Sequence, residues 1–311
     1  MKIYSLAPNE NWICDRFVKE WNQHASCETT SDITDCDVLW LLADWCWDKV
    51  PVEILSSKKV VASVHHITPD KFDDKERQEF FARDQFVDVY HVPCAKTKEQ
   101  IEGMTNKKIH VQPFWVNPTL WHQISPEEKS SARKQIGVDD SHYLIGSFQR
   151  DTEGHDLISP KLEKGPDLFC DAVSTLRDKY YPLQKEVRVL LAGWRRQYVM
   201  NRLEKEGIKF YYAELPPFKT INTFYNMLDL YIVSARFEGG PQAIVECAAS
   251  KTPVVSTDVG IATAVLSPES IFDPGSILHA TPDVEYAYEK VQKYFMPAGF
   301  DSFLKLFSSL Q

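Results

Sequence analysis

The stretch that decides the fold is Glu238-Gly239-Gly240-Pro241-Gln242-Ala243-Ile244-Val245-Glu246, followed by Cys247-Ala248-Ala249-Ser250-Lys251-Thr252-Pro253-Val254-Val255. Its two glycines permit a sharp turn, and Pro241 has the fixed φ that suits the first position of a helix. Residues 242–249 are mostly good helix formers, and Pro253 ends that helix before a buried strand begins at Val254. The stretch therefore predicts a loop, a helix, a second loop and a strand.

The start of this predicted helix is suited to binding a phosphate, because free N–H groups and the positive end of the helix dipole lie there. Glu238 precedes the start, and Glu246 lies about two turns inside the helix. Glu246 could accept hydrogen bonds from ribose hydroxyls, while Glu238 could meet a group beyond the phosphates. The pattern favours a sugar nucleotide bound along the helix end. The alternative is a dipole-favoured acid at Glu238 and a solvated helix residue at Glu246.

The same stretch resembles the E-x7-E signature of the retaining glycosyltransferases of family 4, which have the GT-B fold. The family pattern is E-G-x-P-x-x-x-x-E, then small residues, T-P-V-V and D-x-G. The matching residues here are Glu238, Gly239, Pro241, Glu246, Thr252-Pro253-Val254-Val255 and Asp258-Val259-Gly260. The resemblance is clear from about Tyr143 to about Asp273 and weaker before it. It implies an α/β protein, a short member of the family, with two Rossmann-like domains whose parallel sheets face a cleft.

The resemblance also implies which cations meet the donor diphosphate. The family has G-R after the first strand of its second domain and K-G soon after. Here Lys164-Gly165 matches the second pair, but Ser147 stands where the arginine is usual. Arg150 is the natural substitute, and Lys161 is a further candidate. The expected diphosphate ligands are Arg150, Lys164, Gly239, Gly240 and Gln242, with Glu246 on the ribose and Glu238 on the donor sugar. Each cation alone could equally be a surface residue.

Residues 1–118 alternate strand-like and helix-like runs, which predicts a parallel sheet covered on both faces. The apolar strand at residues 60–64 ends in His65-His66, and the carboxyl ends of such strands face the ligand crevice. His65 could donate to a sugar hydroxyl or a phosphate, or it could cap the strand end in a structural hydrogen bond. The family often has a histidine here near the donor sugar, which implies that His65 and Glu238 are the catalytic residues.

Two patterns in the first half allow two interpretations each. Asp35-Cys36-Asp37 is a D-x-D, the metal motif of glycosyltransferases with a different fold, but it precedes the strand at residue 38 instead of following it. A turn with solvated aspartates is therefore favoured, and no metal site is expected. Tryptophans are dense in this half and could stack on sugar rings or form core; they are Trp12, Trp40, Trp45 and Trp47.

We expect an acceptor-side domain at residues 1–118, a linker at residues 119–140 and a nucleotide-sugar domain at residues 141–296. A terminal helix at about residues 297–311 is expected to pack back on the first domain, as in the GT-B fold. None of the 12 glycines precedes Gly103, so a nucleotide is expected to bind in the second half.

The composition excludes several classes of protein. The chain has 311 residues, 43% of them hydrophobic and 25% charged, and no apolar run of transmembrane length, which describes a soluble globular protein. The formal charge of −9 argues against nucleic-acid binding and general attraction to anionic membranes, although peripheral membrane contact stays open. Seven scattered cysteines without C-x-x-C or zinc spacing predict reduced thiols in the cytoplasm.

The predicted function is that of a retaining, metal-independent glycosyltransferase of the hexosyltransferase class. It would move a sugar from a nucleotide-diphosphate sugar, most simply a UDP- or GDP-sugar, to an acceptor hydroxyl on a glycan, a lipid or a small molecule, with no cofactor. The alternative is a catalytically degenerate GT-B protein that binds a sugar nucleotide or acts as an assembly subunit. A sugar-nucleotide epimerase or a phosphorylase on the same fold is the third class considered.

Overall fold

The structure, a computed structural model, describes residues 1–10 and 13–310. It has two compact α/β units: unit 1 comprises Met1–Trp115 with Tyr294–Gln311, and unit 2 comprises Val116–Lys293. Each unit contains one parallel sheet with helices, which confirms the predicted fold class. Residues 119–140, expected as a linker, fall inside unit 2. Trp12, one of the tryptophans considered above, and the last residue of the predicted terminal helix lie outside the described residues.

The two sheets are built from consecutive parts of the chain. The strands are β1 (Lys2–Leu6), β2 (Glu28–Thr29), β3 (Val38–Leu41), β4 (Lys59–Ser63), β5 (Val89–Val92), β6 (Lys108–Val111), β7 (His142–Ser147), β8 (Glu186–Ala192), β9 (Phe210–Ala213), β10 (Leu230–Val233) and β11 (Val254–Ser256). All pairings between these strands are parallel, in the orders β2-β1-β3-β4-β5-β6 and β11-β10-β7-β8-β9. Parallel pairing needs a crossover between successive strands, and helices supply most of these crossovers.

The helices are α1 (Ile13–His24), α2 (Val52–Ser57), α3 (Asp74–Asp84), α4 (Ala95–Ile101), α5 (Pro126–Gln135), α6 (Pro166–Tyr180), α7 (Gln197–Lys205), α8 (Phe218–Met227), α9 (Gln242–Ala249), α10 (Ala262–Val265), α11 (Val284–Val291) and α12 (Asp301–Ser308). Their ends follow local chemistry. Helix α5, for example, starts with a capping box in which the Ser125 hydroxyl accepts from the Glu128 amide and the Glu128 carboxylate accepts from the Ser125 amide. Among the described residues, no helix has the length and apolar composition needed to cross a membrane.

An aromatic cluster fills the core of unit 1 and includes helix α12. The Trp21 ring lies 5.2 Å from Phe300 and 5.6 Å from Phe307, and the Trp40 ring lies 5.2 Å from Phe303. Trp21 and Trp40 are fully buried, so Trp40 is a core residue and not a sugar platform. The last helix of the chain therefore supplies apolar side chains to the sheet that the first residues begin.

The strand order of unit 2 determines which loops meet. Strand β10 lies between β7 and β11, with Leu230 opposite Ile145 and Tyr231 opposite Val254. Parallel strands end at the same edge of a sheet, so the loops that follow β7, β10 and β11 converge there. These loops are residues 148–165, 234–241 and 257–261. This carboxyl edge of unit 2 carries most of the residues that the sequence singled out.

Candidate functional site

Lys164 and Glu238 form an ion pair at the carboxyl edge of unit 2. The Lys164 ammonium donates to Glu238 Oε1 across 74 residues of sequence, and the two side chains are 18% and 16% exposed. Gln149 Nε2, from the loop after β7, donates to the Lys164 carbonyl at 2.7 Å. A charge pair that is mostly removed from water interacts more strongly than one in solvent. The structure thus brings together the predicted diphosphate lysine and the first glutamate of the motif.

Gly165 explains how the loop that carries Lys164 reaches the end of β10. Its φ is +61°, and a Cβ atom at this position would lie 1.8 Å from the carbonyl oxygen of Ser234. The Ser234 hydroxyl donates to the Gly165 carbonyl at 2.8 Å, and the Arg236 amide donates to the Glu163 carbonyl at 2.8 Å. Only a residue without a side chain permits this approach. In the Lys164-Gly165 pair, the lysine therefore supplies the cation, and the glycine makes the backbone contact that positions it.

Gly260 likewise permits a close backbone contact, here with the loop that contains Glu238. Its φ is +53°, and a Cβ atom would lie 2.3 Å from the Gly239 carbonyl oxygen and 2.9 Å from that of Glu238. The loop after β11 therefore lies directly against the Glu238-Gly239 backbone. This contact gives a physical reason for the D-x-G that follows the motif in the sequence.

Helix α9 begins at Gln242, and Pro241 precedes it as the N-cap with φ −58°. The predicted position of Pro241, the first helical residue, is therefore wrong by one residue. No side chain caps this helix start, and the side-chain oxygen of Gln242 is a buried atom without a hydrogen-bond partner among the described residues. Uncapped N–H groups and an unpartnered amide can both bind a ligand.

Glu246 is buried, with 6% of its surface exposed. The Tyr225 hydroxyl donates to Glu246 Oε2 at 2.9 Å. The alternative that Glu246 is a solvated helix residue is therefore wrong. A buried carboxylate must be hydrogen-bonded, since its desolvation is otherwise costly. Burial, and then the nearby Glu246 carboxylate, raise the pKa of Tyr225 well above its usual value, so the phenol stays protonated and donates.

Arg150 lies on the loop after β7, next to Trp194. Its Nε donates to the Thr152 carbonyl at 2.8 Å, and its guanidinium lies 5.6 Å from the centre of the Trp194 ring. Arg195 lies over the same ring at 5.0 Å, and Trp194 is half exposed. Burial and then the Arg195 charge lower the pKa of Arg150 from its usual value. Lys161, the further candidate, pairs with Glu163 Oε1 at 3.2 Å.

A buried arginine behind this loop was not singled out by the sequence. Arg196 is fully buried; its Nε donates to Asp151 at 3.0 Å, and its other nitrogens donate to the Ser147 carbonyl, the Ser147 hydroxyl at 3.2 Å and the Ala192 carbonyl at 3.1 Å. Burial raises the pKa of Asp151 even though Arg196 acts in the opposite direction. The position where the resemblance expects an arginine thus receives one from the next loop. The only sequence signal was the pair Arg195-Arg196 directly after a strand.

In unit 1, His65 is anchored to the backbone. Its Nε2 lies 2.8 Å from the Leu42 carbonyl, and its ring stacks on Phe114 with 5.5 Å between centroids. A carbonyl only accepts, so Nε2 carries a hydrogen and donates it to Leu42. His65 therefore makes the structural hydrogen bond that was one of the two interpretations of this residue. Cys14 Sγ lies 3.6 Å from Nε2, and burial raises the pKa of this thiol to about 12, so it stays protonated.

The D-x-D aspartates of unit 1 are engaged with Lys2. Asp35 Oδ2 accepts from Lys2 Nζ at 2.8 Å, and Asp37 Oδ2 accepts from the Lys2 amide at 2.7 Å. Both hydrogen bonds are exposed, as the interpretation of a solvated turn requires. Within residues 1–10 and 13–310, no three His, Cys, Asp or Glu side chains come together in a way that could hold a metal ion.

Residues 157–294 match the family model described as Glycosyl transferases group 1. This segment contains Lys164, Glu238 and Glu246 but neither Arg150 nor His65. A curated relative, the lipopolysaccharide core biosynthesis mannosyltransferase LpsB of Rhizobium meliloti (strain 1021), is 28% identical over 142 residues, which are 43% of this chain and 37% of LpsB. The matched region thus spans well under half the length of that relative.

Several solved structures have the same fold. Anabaena Alr3699/HepE in complex with UDP and glucose aligns over 100% of both chains with a TM-score of 0.74 at 13% identity. A glycosyltransferase from Rickettsia africae covers 99% of this chain and 98% of its own, with a TM-score of 0.68 at 14% identity. Sucrose-phosphate synthase from Thermosynechococcus elongatus covers 88% and 73%, with a TM-score of 0.67 at 13% identity. The segment match thus concerns residues 157–294, and the solved structures show that the chain has the two-domain GT-B fold.

Proposed function

We propose that this chain is a retaining glycosyltransferase that moves a hexose from a UDP- or GDP-sugar to an acceptor hydroxyl. The observation that carries the proposal is the Lys164–Glu238 pair beside the uncapped start of α9, with the buried Glu246 on the same helix. All three residues lie in the segment that matches the glycosyltransferase model. The HepE structure with UDP favours a uridine nucleotide, and the name of LpsB favours a hexose.

The reaction places charge on the leaving diphosphate. The bond between the anomeric carbon and the phosphate oxygen breaks, the acceptor oxygen bonds to that carbon on the same face, and the leaving phosphate takes the acceptor proton. Lys164 and Arg150 would neutralise the developing charge, and the backbone N–H groups from Gly239 to Gln242 would add donors. Glu246 would accept from the ribose hydroxyls.

The ion pair in the free protein implies an exchange of partners. Lys164 donates to Glu238 before the donor binds, so a bound diphosphate would compete with that carboxylate for the ammonium. The released Glu238 carboxylate can then accept from a hydroxyl of the donor sugar. Both groups keep a polar partner at every stage, which limits the cost of leaving either one unpaired in a partly buried place.

His65 is the proposed contribution of unit 1. Its Nε2 lies at the Leu42 carbonyl, which fixes the ring at the end of β4. The proposed role is the expected one, a hydrogen bond to a hydroxyl of the donor sugar or to a phosphate. We propose that no metal or cofactor is required, because two cations and a helix start supply the positive charge. All seven cysteines are free thiols, which supports a cytoplasmic protein.

The test is a screen of UDP- and GDP-sugars for thermal stabilisation, donor hydrolysis and transfer, in the presence of EDTA. Native protein is compared with Lys164→Ala, Glu246→Ala and the control Lys185→Ala, which removes an exposed lysine. We expect one donor to stabilise native protein and the control but neither site variant. The anomer released first, followed by proton NMR, would have the configuration of the donor.

Two other outcomes have defined meanings. A donor that stabilises the protein but is neither hydrolysed nor transferred to any acceptor would indicate the catalytically degenerate binding protein. Conversion of the donor to an epimer without an acceptor would indicate an epimerase. If no nucleotide sugar binds native protein, the proposal is wrong.

A further inference from the structure

Tyr225 is a buried hydrogen-bond donor to the Glu246 carboxylate. It is on α8, is 2% exposed, and donates to Glu246 Oε2 at 2.9 Å. Glu246 is on α9, so the hydrogen bond joins two helices of unit 2 in the interior. This donor stays protonated, since burial and then Glu246 itself raise the pKa of the phenol well above its usual value.

A hydrogen bond of this kind determines the direction in which Glu246 points. The last torsion of a glutamate, which rotates the carboxylate plane, has broad preferences of its own. Fixing Oε2 to a rigid phenol sets that plane and with it the direction of Oε1. The phenol cannot swing, because its ring contacts Trp121, Phe148 and Tyr231 with 5.7, 4.9 and 5.3 Å between centroids.

We infer that Tyr225 is a positioning residue that aims Glu246 at the ribose and so sets the preference of the site for ribonucleotides over deoxyribonucleotides. The inference rests on the proposed function, in which Glu246 binds the ribose of the donor. A carboxylate aimed at a hydroxyl discriminates against a ligand that lacks the hydroxyl, because the buried acceptor is then unpaired. A carboxylate that lacks this hydrogen bond is held less firmly in that direction and discriminates less.

Tyr231 provides a matched control in the same cluster. It is also buried, and burial also raises its pKa above the usual value. Its hydroxyl accepts from the Phe148 amide at 2.9 Å. Tyr231→Phe therefore removes the same atom from the same aromatic environment without removing the hydrogen bond to Glu246.

The experiment measures Kd by calorimetry for UDP, 2′-deoxy-UDP and 3′-deoxy-UDP, and for GDP and its 2′-deoxy analogue. Native protein, Tyr225→Phe and Tyr231→Phe are compared, with melting temperatures to establish folding. For the nucleotide that binds, we expect native protein to prefer the ribose form about tenfold or more over one deoxy analogue, as for hydrogen bonds to charged groups. Tyr225→Phe should lower that ratio to about twofold, and Tyr231→Phe should leave it unchanged.

A rescue variant separates the hydrogen bond from packing. 4-Aminophenylalanine at position 225 restores an N–H donor at the same ring position, and the preference for ribose should return. A folded Tyr225→Phe protein with the native ratio, or native protein without a preference, would overturn the inference and leave the proposed function standing. Failure of native protein to bind any of the nucleotides would overturn both.

Discussion

Lys164 of unit 2 and His65 of unit 1 have different kinds of polar partner, although both lie beyond the carboxyl ends of strands in parallel sheets. At the carboxyl edge of unit 2, Lys164 pairs with Glu238, a side chain with a side chain. In unit 1, His65 Nε2 bonds the Leu42 carbonyl, and His91 Nε2 bonds the Gln112 carbonyl at 2.7 Å. Side-chain partners can be exchanged for a ligand, while a carbonyl that loses its donor is left unsatisfied in the interior.

Glycine makes the difference between the two edges. In unit 2, Gly165 lies against Ser234 and Gly260 lies against Gly239, so three loops approach one another by backbone contact and their charged side chains converge. The part of unit 1 that precedes residue 103 has no glycine. There, His65 and His91 bond backbone carbonyls, although Asp44, just after β3, also pairs with Arg83 at 2.7 Å. The carboxyl end of a strand therefore places a polar residue at the sheet edge. Whether such residues form a binding site depends on how closely the neighbouring loops approach one another.

The largest effect is expected from Lys164→Ala, which should lower kcat/KM about 10²- to 10³-fold, since it removes a preorganised cation from the leaving diphosphate. Lys161→Ala should cost much less, about tenfold or below, because its ammonium pairs with Glu163 and not with the motif glutamate at the start of α9. Burial lowers the pKa of Lys161 although Glu163 acts in the opposite direction. Steady-state kinetics with the donor found in the screen would measure both.

Measuring kcat/KM for His65→Ala makes the same comparison for a residue of unit 1. A residue held by a backbone carbonyl should contribute about tenfold at most, through one hydrogen bond. A loss larger than that of Lys164→Ala would break the comparison and place the decisive chemistry in unit 1.

The second effect concerns folding. Gly165→Ala should lower the free energy of unfolding of unit 2 by about 3 kcal/mol, since the left-handed backbone costs about 1–2 kcal/mol and the overlap with Ser234 adds a similar amount. Gly207→Ala is the control: φ there is +69°, but nothing lies within 4 Å of the added Cβ. It should cost only about 1 kcal/mol. Denaturant unfolding measures both. Equal losses would mean that the loop can move away from Ser234 freely.

The sequence predicted the architecture because strand and helix runs alternate, and it predicted the helix start because Gly-Gly-Pro and Thr-Pro delimit α9. It also contained a signal for the burial of Glu246: the neighbours Val245, Cys247 and Ala248 are all apolar, and a helix that is apolar on all sides is a buried one. A carboxylate in such a helix needs a partner, which the structure supplies as Tyr225.

The ion pairs could not be predicted in the same way. Lys164 and Glu238 are 74 residues apart, and their contact depends on β10 lying next to β7. Asp151 and Arg196 are likewise joined across two loops. Strand order is a property of the whole sheet, so the local pattern at each residue does not contain it. The resemblance indicated which residues are expected to bind the donor. It did not indicate which partners those residues have in the free protein.

A third, smaller effect is a pH dependence of stability in unit 1. His91 is fully buried, and burial lowers its pKa to about 3 from an ordinary value of 6.5. The unfolded chain therefore binds a proton between these values that the folded chain does not bind. The free energy of unfolding should be unaffected above about pH 6.5 and fall by up to about 1.4 kcal/mol per pH unit below it. Denaturant unfolding at pH 7 and pH 5.5, followed by tryptophan fluorescence, measures this.

Two variants isolate the contribution of His91. His91→Gln removes the titrating group, so the difference in stability between the two pH values should shrink by about 1 kcal/mol. His24→Gln, at an exposed position at the end of α1, should leave the pH dependence as it is in native protein. An unchanged pH dependence in His91→Gln would show that other groups, such as His110, whose pKa burial also lowers, are responsible.

The smallest effect is expected at the D-x-D of unit 1, where Asp35→Asn and Asp37→Asn should leave kcat/KM and its insensitivity to EDTA unchanged. Both carboxylates hold Lys2 in exposed hydrogen bonds and precede β3, at the edge opposite to the one where strands of such sheets present ligands. Surface pairs of this kind contribute little. Transfer that required Mn²⁺ and was lost in both variants would mean that the motif binds metal after all. The contrast between the Lys164–Glu238 pair in unit 2 and the backbone-anchored His65 in unit 1 would then have to be given up, because the decisive charges would lie on the unit without the converging glycine loops.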